Sequence, residues 1–369
     1  MEDALIKVLS IFGTRPEAIK MAPLVTMLAD DGAFDSVVCV TAQHREMLDQ
    51  ILDLFHIEPD YDLDLMTSRQ TITDITTRAL RGIEDVIKAV KPDIVLVHGD
   101  TTTTFCGALA AFYQQVDVGH VEAGLRTNNI YSPYPEEFNR QAVGLLAKYH
   151  FAPTETAKKN LLNEGKHSNI FVTGNTAIDA LQMTVTDNYS NELLDWVGDK
   201  KMILLTAHRR ENLGTPMENM FRAIKRIADE RNDIKVIYPI HKNPAVRETA
   251  CKVFGDGSEI IKLVEPMGVY DFQNMMARSY IMLTDSGGIQ EEAPSLGVPV
   301  LVMRDTTERP EGVEAGTLRL VGTSESVIYE NFKDLLDNES AYKEMAHAVN
   351  PYGDGKASER IVDILKENY

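Results

Sequence analysis

The sequence predicts an α/β protein with two parallel sheets, and three observations support this fold class. Short, nearly continuous apolar runs alternate with amphipathic helix patterns along the 369 residues. The pattern restarts near residue 200, after the polar stretch TVTDNYSNELLDWVGDK. Strands that are apolar on both faces are typical of parallel sheets covered by helices on both sides. A chain of this length also favours two domains.

The strand candidates fall into two sets. The first half contains IKVLSIFG, SVVCVTA, DIVLVHG, VDVGHVEAG, YHFAP and IFVTGN, separated by helical patterns such as EAIKMAPLVTMLAD and TITDITTRALRGIEDVIKAV. The second half contains KMILLTA, IKVIYPI, IIKLVE, YIMLTDSGG, VPVLVM and LRLVG. We expect a hinge near Gly174–Asp179 and an interdomain ligand cleft at the carboxyl ends of the strands. The tail ASERIVDILKENY is an amphipathic helix that suits either domain.

Composition and charge exclude several partners. The chain carries 37 basic and 56 acidic residues, which give a formal net charge of -19. Such an acidic surface repels nucleic acids and anionic membranes, and no apolar run approaches the length of a transmembrane helix. The first residues, MEDALIK, lack the pattern of a signal peptide. We therefore expect a cytoplasmic protein without nucleic-acid or membrane partners.

The three cysteines indicate neither a disulfide framework nor a zinc site. Cys39, Cys106 and Cys251 lie far apart and form no C-x-x-C pair. We expect them to be small buried residues in a reducing compartment.

Polar residues follow nearly every predicted strand, where ligands of open α/β sheets bind. The first loop, GTRPEAIK, holds a single glycine, Gly13, and lacks the G-x-G-x-x-G that a dinucleotide needs. Local capping explains such residues one at a time, and we accept it for most of the threonines at 101–104. It explains the cations less well, because Arg and His have no special role in turns. These cations are Arg15, Lys20, His208, Arg209, Arg210, His241, Arg304 and Arg309.

The stretch TDSGGIQEEA predicts a phosphate-binding loop at the start of a helix. Ser286 is a candidate helix cap, and Gly287 and Gly288 let a ligand approach the backbone closely. We expect Glu292 to accept hydrogen bonds from a ribose diol, whereas the helix dipole explains Glu291. The cations would then surround a pyrophosphate, although each alone is equally typical of a surface ion pair.

Carboxylates form the other half of the strand-end set. Asp100, Glu122, Glu136 and Glu137 fall in or after strand ends of the first half. Acids repel the phosphates of a nucleotide, so a group of them opposite a basic pocket indicates proton transfer. Metal binding is the rival use, but HGD is too short to be a ligand set, and cations can neutralise phosphates instead. We predict no required metal.

Eight motifs, in the same order, resemble those of the non-hydrolysing UDP-N-acetylglucosamine 2-epimerases. They are GTRPEAIK, QHREMLDQ, HGDTTTT, HVEAGLRT, SPYPEEFNR, TAHRREN, DSGGIQEEAPSLG and RDTTERPEGVEAGT. The resemblance spans nearly the whole chain. It implies a GT-B-like fold of two Rossmann-like domains, residues 1–176 and 177–351, with the last helix, 352–369, packing back on the first. It also implies a homodimer, no cofactor, and interconversion of UDP-N-acetylglucosamine (UDP-GlcNAc) and UDP-N-acetylmannosamine (UDP-ManNAc).

The resemblance also implies roles for single residues. Asp100, Glu122, Glu136 and His208 match the catalytic group, and the residues do not decide which acid serves which face of the sugar. Phe272 is implied as a contact to the base, while its pattern alone fits a core residue equally well. The positions that match the nucleotide and phosphate site are Arg15, Lys20, His241, Ser286, Gly287, Gly288, Glu292 and Arg309.

A second binding site is implied by the motifs QHRE and HRRE. Bacterial members that carry them use a second substrate molecule as an allosteric activator. The matching positions here are Gln43, His44, Arg69, Gln70 and Arg210. We predict that UDP-GlcNAc is needed to run the reaction from UDP-ManNAc. Strand-end capping is the alternative for Gln43 and His44.

The implied reaction explains why acids are present. The C2 proton of a pyranose is scarcely acidic, so its loss is coupled to expulsion of UDP from C1, which gives 2-acetamidoglucal. Re-addition of UDP, with protonation from the other face, gives the epimer that supplies ManNAc for cell-surface polysaccharides. This scheme needs proton carriers on both faces and a stabilised leaving diphosphate.

Four rival functions share part of the pattern. A GT-B glycosyltransferase has no obvious use for the acids and often carries an apolar membrane-facing patch that is not seen here. A hydrolysing epimerase usually carries a fused kinase domain, for which the chain has no room. A sensor that binds without turnover could lose Asp100, Glu122 and Glu136, yet all three are present. An NAD-dependent epimerase needs G-x-G-x-x-G.

Overall fold

A computed structural model describes residues 5–42, 45–67 and 70–369 of the chain. The chain forms two compact units. Unit 1 comprises Met1–Gln182 and Tyr352–Tyr369, and unit 2 comprises Met183–Pro351. Over the described ranges, each helix is too short or too polar to cross a membrane.

The strands of unit 1 are β1 Ile6–Phe12, β2 Phe34–Val40, β3 Tyr61–Asp62, β4 Ile94–His98, β5 Asp117–Val121, β6 Tyr149–Ala152 and β7 Ile170–Val172. In the described residues they form one parallel sheet of seven strands, in the order β3-β2-β1-β4-β5-β6-β7. All five residues of β4 are buried. A strand buried along its whole length needs cover on both faces, which the helices between the strands provide.

The helices that follow these strands begin where the sequence offers a cap. Thr71 and Thr101 each accept a hydrogen bond from the backbone three residues on, at the starts of α3 and α4. The local role accepted for the threonines at 101–104 is therefore confirmed for Thr101. The helices are α1 Arg15–Asp30, α2 Arg45–Phe55, α3 Ile72–Val90, α4 Thr102–Tyr113, α5 Glu136–Leu146, α6 Glu155–Asn163 and α7 Thr176–Thr184.

Unit 2 repeats the architecture. Its strands are β8 Lys201–Thr206, β9 Ile234–Pro239, β10 Ile261–Val264, β11 Ile281–Thr284, β12 Val300–Val302 and β13 Leu318–Leu320. They form a six-stranded parallel sheet in the order β10-β9-β8-β11-β12-β13. Its helices are α8 Glu192–Val197, α9 Thr215–Glu230, α10 Pro244–Phe254, α11 Val269–Ala277, α12 Ile289–Ser295, α13 Pro310–Glu314, α14 Glu325–Asp337 and α15 Glu339–Ala346. A 3-10 turn spans Arg210–Asn212.

The last helix, α16 Ala357–Asn368, belongs to unit 1. Its first turn is held by Asp179, whose carboxylate accepts the backbone N–H of Ser358 at 2.7 Å. Its far end is held by Tyr369, whose hydroxyl donates to Asp117 at 2.6 Å. Polar contacts at both ends thus fix the amphipathic tail on unit 1.

The predicted fold class is confirmed. Each of the twelve predicted strands overlaps an observed strand, and the two parallel sheets alternate with helices as expected. The strand that the sequence pattern missed is β3, at Tyr61–Asp62. It pairs with Cys39 and Val40 of β2 through two residues only, which leaves no periodicity to detect.

Candidate functional site

The strand ends of unit 1 bring two of the predicted acids, Asp100 and Glu122, together. The parallel register pairs His98 of β4 with Val121 of β5, and the N–H of Gly99 donates to the Val121 carbonyl at 2.9 Å. Asp100 and Glu122, the acids that directly follow these two strands, therefore leave the sheet side by side. This is the edge at which ligands of parallel α/β sheets bind.

Glu122 sits on an unusual backbone and among several polar groups. Its φ of 64° lies in the left-handed region, which is uncommon for a residue other than glycine and marks functional positions. Its Oε2 accepts from the ammonium of Lys20 and from Nδ2 of Asn175 at 2.9 Å. Nε2 of His98 lies 3.8 Å away. Lys20, a predicted phosphate contact, thus contacts the carboxylate of Glu122.

Three neighbouring strands of unit 1 each carry a buried histidine. Burial lowers the pKa of His98 to about 4, that of His120 to about 3 and that of His150 to about 4. Nε2 of His120 lies 2.7 Å from the Gly99 carbonyl oxygen, to which it donates in the matching tautomer. At neutral pH all three rings are uncharged, so they add no positive charge beside Glu122.

Asp100 is held by residues of α5. Nη2 of Arg140 lies 2.6 Å from its Oδ2, and Nδ2 of Asn139 donates to its backbone carbonyl at 2.8 Å. Both partners belong to the motif SPYPEEFNR, but neither was among the predicted site residues. The charge-assisted bond from Arg140 is short and directional and fixes the carboxylate, while the bond from Asn139 fixes the backbone at the strand end.

The adjacent acids Glu136 and Glu137 have different surroundings. Glu137 accepts the backbone N–H groups of Thr127 at 3.0 Å and Asn128 at 3.1 Å. Burial alone would raise the pKa of Glu137, but these bonds and those from Gln141 and its other partners hold it below its usual value. Oε2 of Glu136 is buried without a hydrogen-bond partner in the described part of the chain. Glu137 is therefore a structural acid, and Glu136 is the acid suited to chemistry.

The first loop is built around a buried carboxylate. Glu17, in the first turn of α1, accepts the backbone N–H groups of Gly13 at 3.1 Å and Thr14 at 2.8 Å, and the hydroxyl of Thr101 at 2.6 Å. Burial raises the pKa of Glu17 despite these bonds. Glu17 therefore ties the loop before Arg15 to the loop after β4. Arg15 itself is the first residue of α1.

Asp285 organises the strand ends of unit 2. This fully buried acid follows β11 and accepts the backbone N–H groups of His208 at 3.0 Å and Arg209 at 2.9 Å. It also accepts from Nδ2 of Asn212 at 3.1 Å. One carboxylate thus fixes the turn after β8, where the predicted His208 lies. The sequence placed Asp285 only in a loop motif, because its partners lie more than seventy positions away along the chain.

His208 and His241 lie against each other. Their rings stack with centroids 5.3 Å apart and an interplanar angle of 13°. Burial, with smaller contributions from His241 and Arg209, lowers the pKa of His208 despite the nearby carboxylate of Asp285. The N–H of Asn243 donates to Nδ1 of His241 at 3.1 Å, which leaves the proton on Nε2 in the neutral ring. Burial therefore favours the neutral ring of His208 at this strand end, stacked against the ring of His241.

The predicted phosphate loop is lined by guanidinium groups. A Cβ added to Gly287 would lie 3.4 Å from Nη2 of Arg209 and 3.9 Å from Nη1 of Arg309. Nε of Arg209 donates to the Asp285 carbonyl at 3.1 Å, and Nε of Arg309 donates to Glu291 at 2.7 Å. Glu291 thus positions Arg309 in addition to standing in the first turn of α12. Such a loop has the charge and donors to bind a diphosphate.

The predicted capping role of Ser286 is wrong. The residue before α12 is Gly288, and no side chain caps the helix. The N–H of Ser286 donates instead to Oγ1 of Thr284 at 2.9 Å, and its carbonyl accepts from Gln290 at 3.1 Å. The two glycines extend the turn beyond Ser286, so the helix starts too late for its hydroxyl to reach the first turn.

Two of the predicted nucleotide residues of unit 2, Glu292 and Phe272, are linked through Gln273. Glu292 accepts from Nε2 of Gln273 at 3.3 Å, and Gln273 in turn accepts from the hydroxyl of Thr184 at 2.6 Å. Phe272, the neighbour of Gln273 on α11, is half-buried. The structure therefore leaves both interpretations of Phe272 open, a base contact and a core residue.

The predicted allosteric residues are partly placed. Gln43, His44 and Arg69 lie outside the described residues. Oε1 of Gln70 accepts from Nη2 of Arg78 at 2.6 Å. Arg210 is exposed at the start of the 3-10 turn after β8.

Comparisons with known proteins agree with the motifs. A family model described as UDP-N-acetylglucosamine 2-epimerase matches residues 26–366. The UDP-N-acetylglucosamine 2-epimerase of Bacillus subtilis is 64% identical over 365 residues, which cover 99% of this chain and 96% of that protein. A crystal structure of a UDP-N-acetylglucosamine 2-epimerase, 62% identical, matches with a TM-score of 0.92 over 99% of this chain and 96% of that chain. The Neisseria meningitidis enzyme, solved with UDP-GlcNAc, is 49% identical with a TM-score of 0.87, over 98% of this chain and 100% of that chain.

These likenesses confirm the class of protein that the fold and the strand-end residues define, a GT-B-like enzyme of the isomerase class. The chain belongs to the family of UDP-N-acetylglucosamine 2-epimerases, of the non-hydrolysing type that the eight motifs indicated. UDP-GlcNAc 2-epimerase activity, the predicted function, is therefore supported.

Proposed function

We propose that the protein epimerises C2 of UDP-GlcNAc by eliminating UDP and adding it back. The observation that carries this proposal is the group of held acids at the strand ends of unit 1, with Glu136 as the acid whose buried oxygen has no partner in the described ranges. Such acids suit proton transfer, whereas mere binding of an anionic nucleotide would select against them. The ligand assignment is supported by the relative from Neisseria meningitidis, which was solved bound to UDP-GlcNAc.

The reaction runs through a neutral intermediate. A carboxylate removes the C2 proton, the electron pair forms the C1–C2 double bond, and the C1–O bond breaks with its electrons passing to the β-phosphate. The products are UDP and 2-acetamidoglucal. In the return step UDP attacks C1 while an acid on the opposite face delivers a proton to C2.

The residues divide between these tasks. Asp100, Glu122 and Glu136 are the proton carriers for the two faces of the sugar. In unit 2, His208 and Arg309 stabilise the charge that develops on the leaving diphosphate. A neutral His208 can donate its ring N–H to an oxygen of the departing β-phosphate, so it stabilises the developing charge through a hydrogen bond. The remaining binding contacts are assigned to Arg15, His241, Gly287, Gly288 and Glu292.

An oxygen label tests the elimination. UDP-GlcNAc is prepared with ¹⁸O in the bridge between C1 and the β-phosphorus, incubated with the enzyme and recovered. We expect the label to scramble into the non-bridging positions of the β-phosphate, because the freed diphosphate rotates before it adds back. Epimerised product whose label remains wholly in the bridge would contradict C1–O cleavage.

We also propose that a second UDP-GlcNAc activates the enzyme. The support is the motif match at Gln43, His44, Arg69, Gln70 and Arg210, of which the structure describes Gln70 and Arg210. Pure UDP-ManNAc should then react only after a lag that traces of UDP-GlcNAc remove. Full conversion of pure UDP-ManNAc without a lag contradicts this part of the proposal.

A homodimer is proposed on the surface of unit 1. Large apolar side chains are exposed on α4 and α5, among them Phe112, Tyr113, Phe138 and Leu145. Exposed apolar groups in such number are typical of an association surface. Sedimentation equilibrium should give twice the mass of one chain, and a mass of one chain at micromolar concentration would contradict the dimer.

The product defines the proposed role in the cell. UDP-ManNAc is an activated donor, and the class of reaction that consumes it is glycosyl transfer of ManNAc to a cell-surface polysaccharide. The cytoplasmic location expected from the sequence stays a prediction.

A further inference from the structure

Asn175, a buried residue directly before α7, contacts the acid Glu122. No motif in the sequence singled it out. We infer that Asn175 is a positioning residue for Glu122, whose amide donor holds the carboxylate in its reactive place. This inference rests on the proposed function, which assigns proton transfer to Glu122.

The orientation of the Asn175 amide follows from its other partner. Its Oδ1 accepts the backbone N–H of Ala177 at 3.0 Å, as expected of a cap at the start of α7. With the oxygen engaged there, the NH₂ group is directed at Oε2 of Glu122, at 2.9 Å. The amide cannot flip without losing both bonds, so its donor stays on Glu122.

Asn175 is also anchored through its backbone. Its N–H donates to the carbonyl of Tyr352 at 2.7 Å, in the segment that returns to unit 1. Two further groups that lie against Glu122 are either less rigid than Asn175 or uncharged. Lys20 reaches it through a long side chain from α1, and the buried ring of His98 on β4 is neutral at pH 7. Lys20 therefore supplies charge, whereas Asn175 supplies position.

The cap offers well-matched variants for the test. Asn175→Asp keeps an oxygen that can cap α7, because Asp is as good a cap as Asn, but it replaces the donor by a negative charge. Asn175→Ser keeps an oxygen that can cap α7 and removes the amide NH₂ group that reaches Glu122. The control is Asn160→Asp, since Nδ2 of Asn160 donates to the Gly124 carbonyl at 2.9 Å, two residues from Glu122.

We expect Asn175→Asp to lower kcat about 10–100-fold while KM stays within about twofold, because a displaced proton carrier slows chemistry more than binding. A like charge disfavours ionisation of a carboxyl group, so the acid limb of the kcat–pH profile should move up by about one pH unit. Asn175→Ser should show a smaller loss of kcat, and Asn160→Asp should match the wild type. Thermal unfolding of each variant reports whether the fold is kept, and Asn175→Ser serves if Asn175→Asp does not fold.

A readout without substrate separates this inference from the proposed function. Infrared spectra of protein with ¹³C-labelled glutamate carboxyls, minus those of Glu122→Gln, follow the titration of Glu122. A midpoint that rises in Asn175→Asp, together with the altered kcat, supports the inference. An active wild type with an unchanged midpoint and unchanged kcat in both Asn175 variants overturns the inference alone. A wild type that does not epimerise UDP-GlcNAc overturns the proposed function as well.

Discussion

The two units share a topology, yet their strand ends carry opposite charges. In unit 1 the acids Asp100 and Glu122 leave the sheet and are held by donors, Arg140 for the first and Asn175 for the second. In unit 2 the arrangement is reversed, since the buried acid Asp285 holds the backbone of the cationic turn after β8. The same sheet edge can therefore present proton carriers or groups that bind anions. In unit 1 the donors hold the acids, and in unit 2 a buried acid holds the turn that carries the cations.

Gly13 of unit 1 and Gly287 of unit 2 differ in what surrounds them. A Cβ on Gly13 would lie 1.9 Å from Oγ1 of Thr41 and 2.6 Å from Oγ1 of Thr103, so this glycine serves close packing within unit 1. The nearest atoms to a Cβ on Gly287 would belong to guanidinium groups, at 3.4 Å or more. The glycine of the first loop is structural, and that of the phosphate loop faces the proposed ligand.

The largest effect is expected from the paired acids of unit 1. Glu136→Gln should lower kcat about 10²–10⁴-fold with little change in thermal stability, because it removes a proton carrier from a folded site. Glu137→Gln is the matched control. It should lower the unfolding free energy by about 1–3 kcal/mol, because the buried bonds to Thr127 and Asn128 lose their charge. Steady-state kinetics and thermal unfolding of the two variants check this, and a reversal of their effects would contradict the division of roles.

Acid should weaken unit 1 more than unit 2. The fully buried histidines among the described residues, His98, His120 and His150, all belong to unit 1. Their pKa values are lowered from 6.5 to about 4, 3 and 4, so the unfolded state binds more protons as pH falls through this window. Each ring should then remove about 1.4 kcal/mol of stability per pH unit below about pH 6.

Hydrogen exchange, corrected for intrinsic rates, measures this difference between the units. Amides of β4–β6 should lose protection at about pH 5 relative to pH 7, more than amides of β8 and β11. His150→Asn should reduce the loss. Equal losses in the two sheets would show that the buried histidines do not govern acid stability.

The anion-binding character of unit 2 predicts a loss of UDP affinity. Arg309→Ala should weaken binding of UDP about 10–100-fold, since a charge-assisted hydrogen bond contributes about 1.5–3 kcal/mol. The control is Arg319→Ala, because Arg319 pairs with Asp334 at 2.6 Å on β13, away from the glycine loop. Calorimetric titration with UDP reports both, and equal affinities would remove Arg309 from the phosphate site.

The smallest effects are expected from alanine substitutions at Gly13 and Gly287, which should change different properties of the protein. Gly13→Ala should lower the unfolding free energy by about 1–3 kcal/mol, the usual cost of overpacking. Gly287→Ala should leave stability nearly unchanged and should weaken UDP binding. Thermal unfolding with and without UDP distinguishes the two, and a stable Gly13→Ala variant would show that the threonines move aside.

The fold was predictable because every strand except β3 lies in an apolar run, and buried strands need such runs whatever surrounds them. Single residues of the site were predictable by type, as cations, acids and glycines after strands. Asn175, Arg140 and Asp285 were not, because their importance lies in partners distant in sequence. The cap assigned to Ser286 failed for a local reason, since the glycines beyond it delay the start of α12.

The central claim, that acids of unit 1 exchange the C2 proton of a sugar nucleotide, has a direct test. The enzyme is incubated with UDP-GlcNAc alone in D₂O and followed by proton NMR. We predict that UDP-ManNAc appears and that both sugars acquire deuterium at C2. UDP-GlcNAc that keeps its C2 proton, with no epimer formed, would contradict the account.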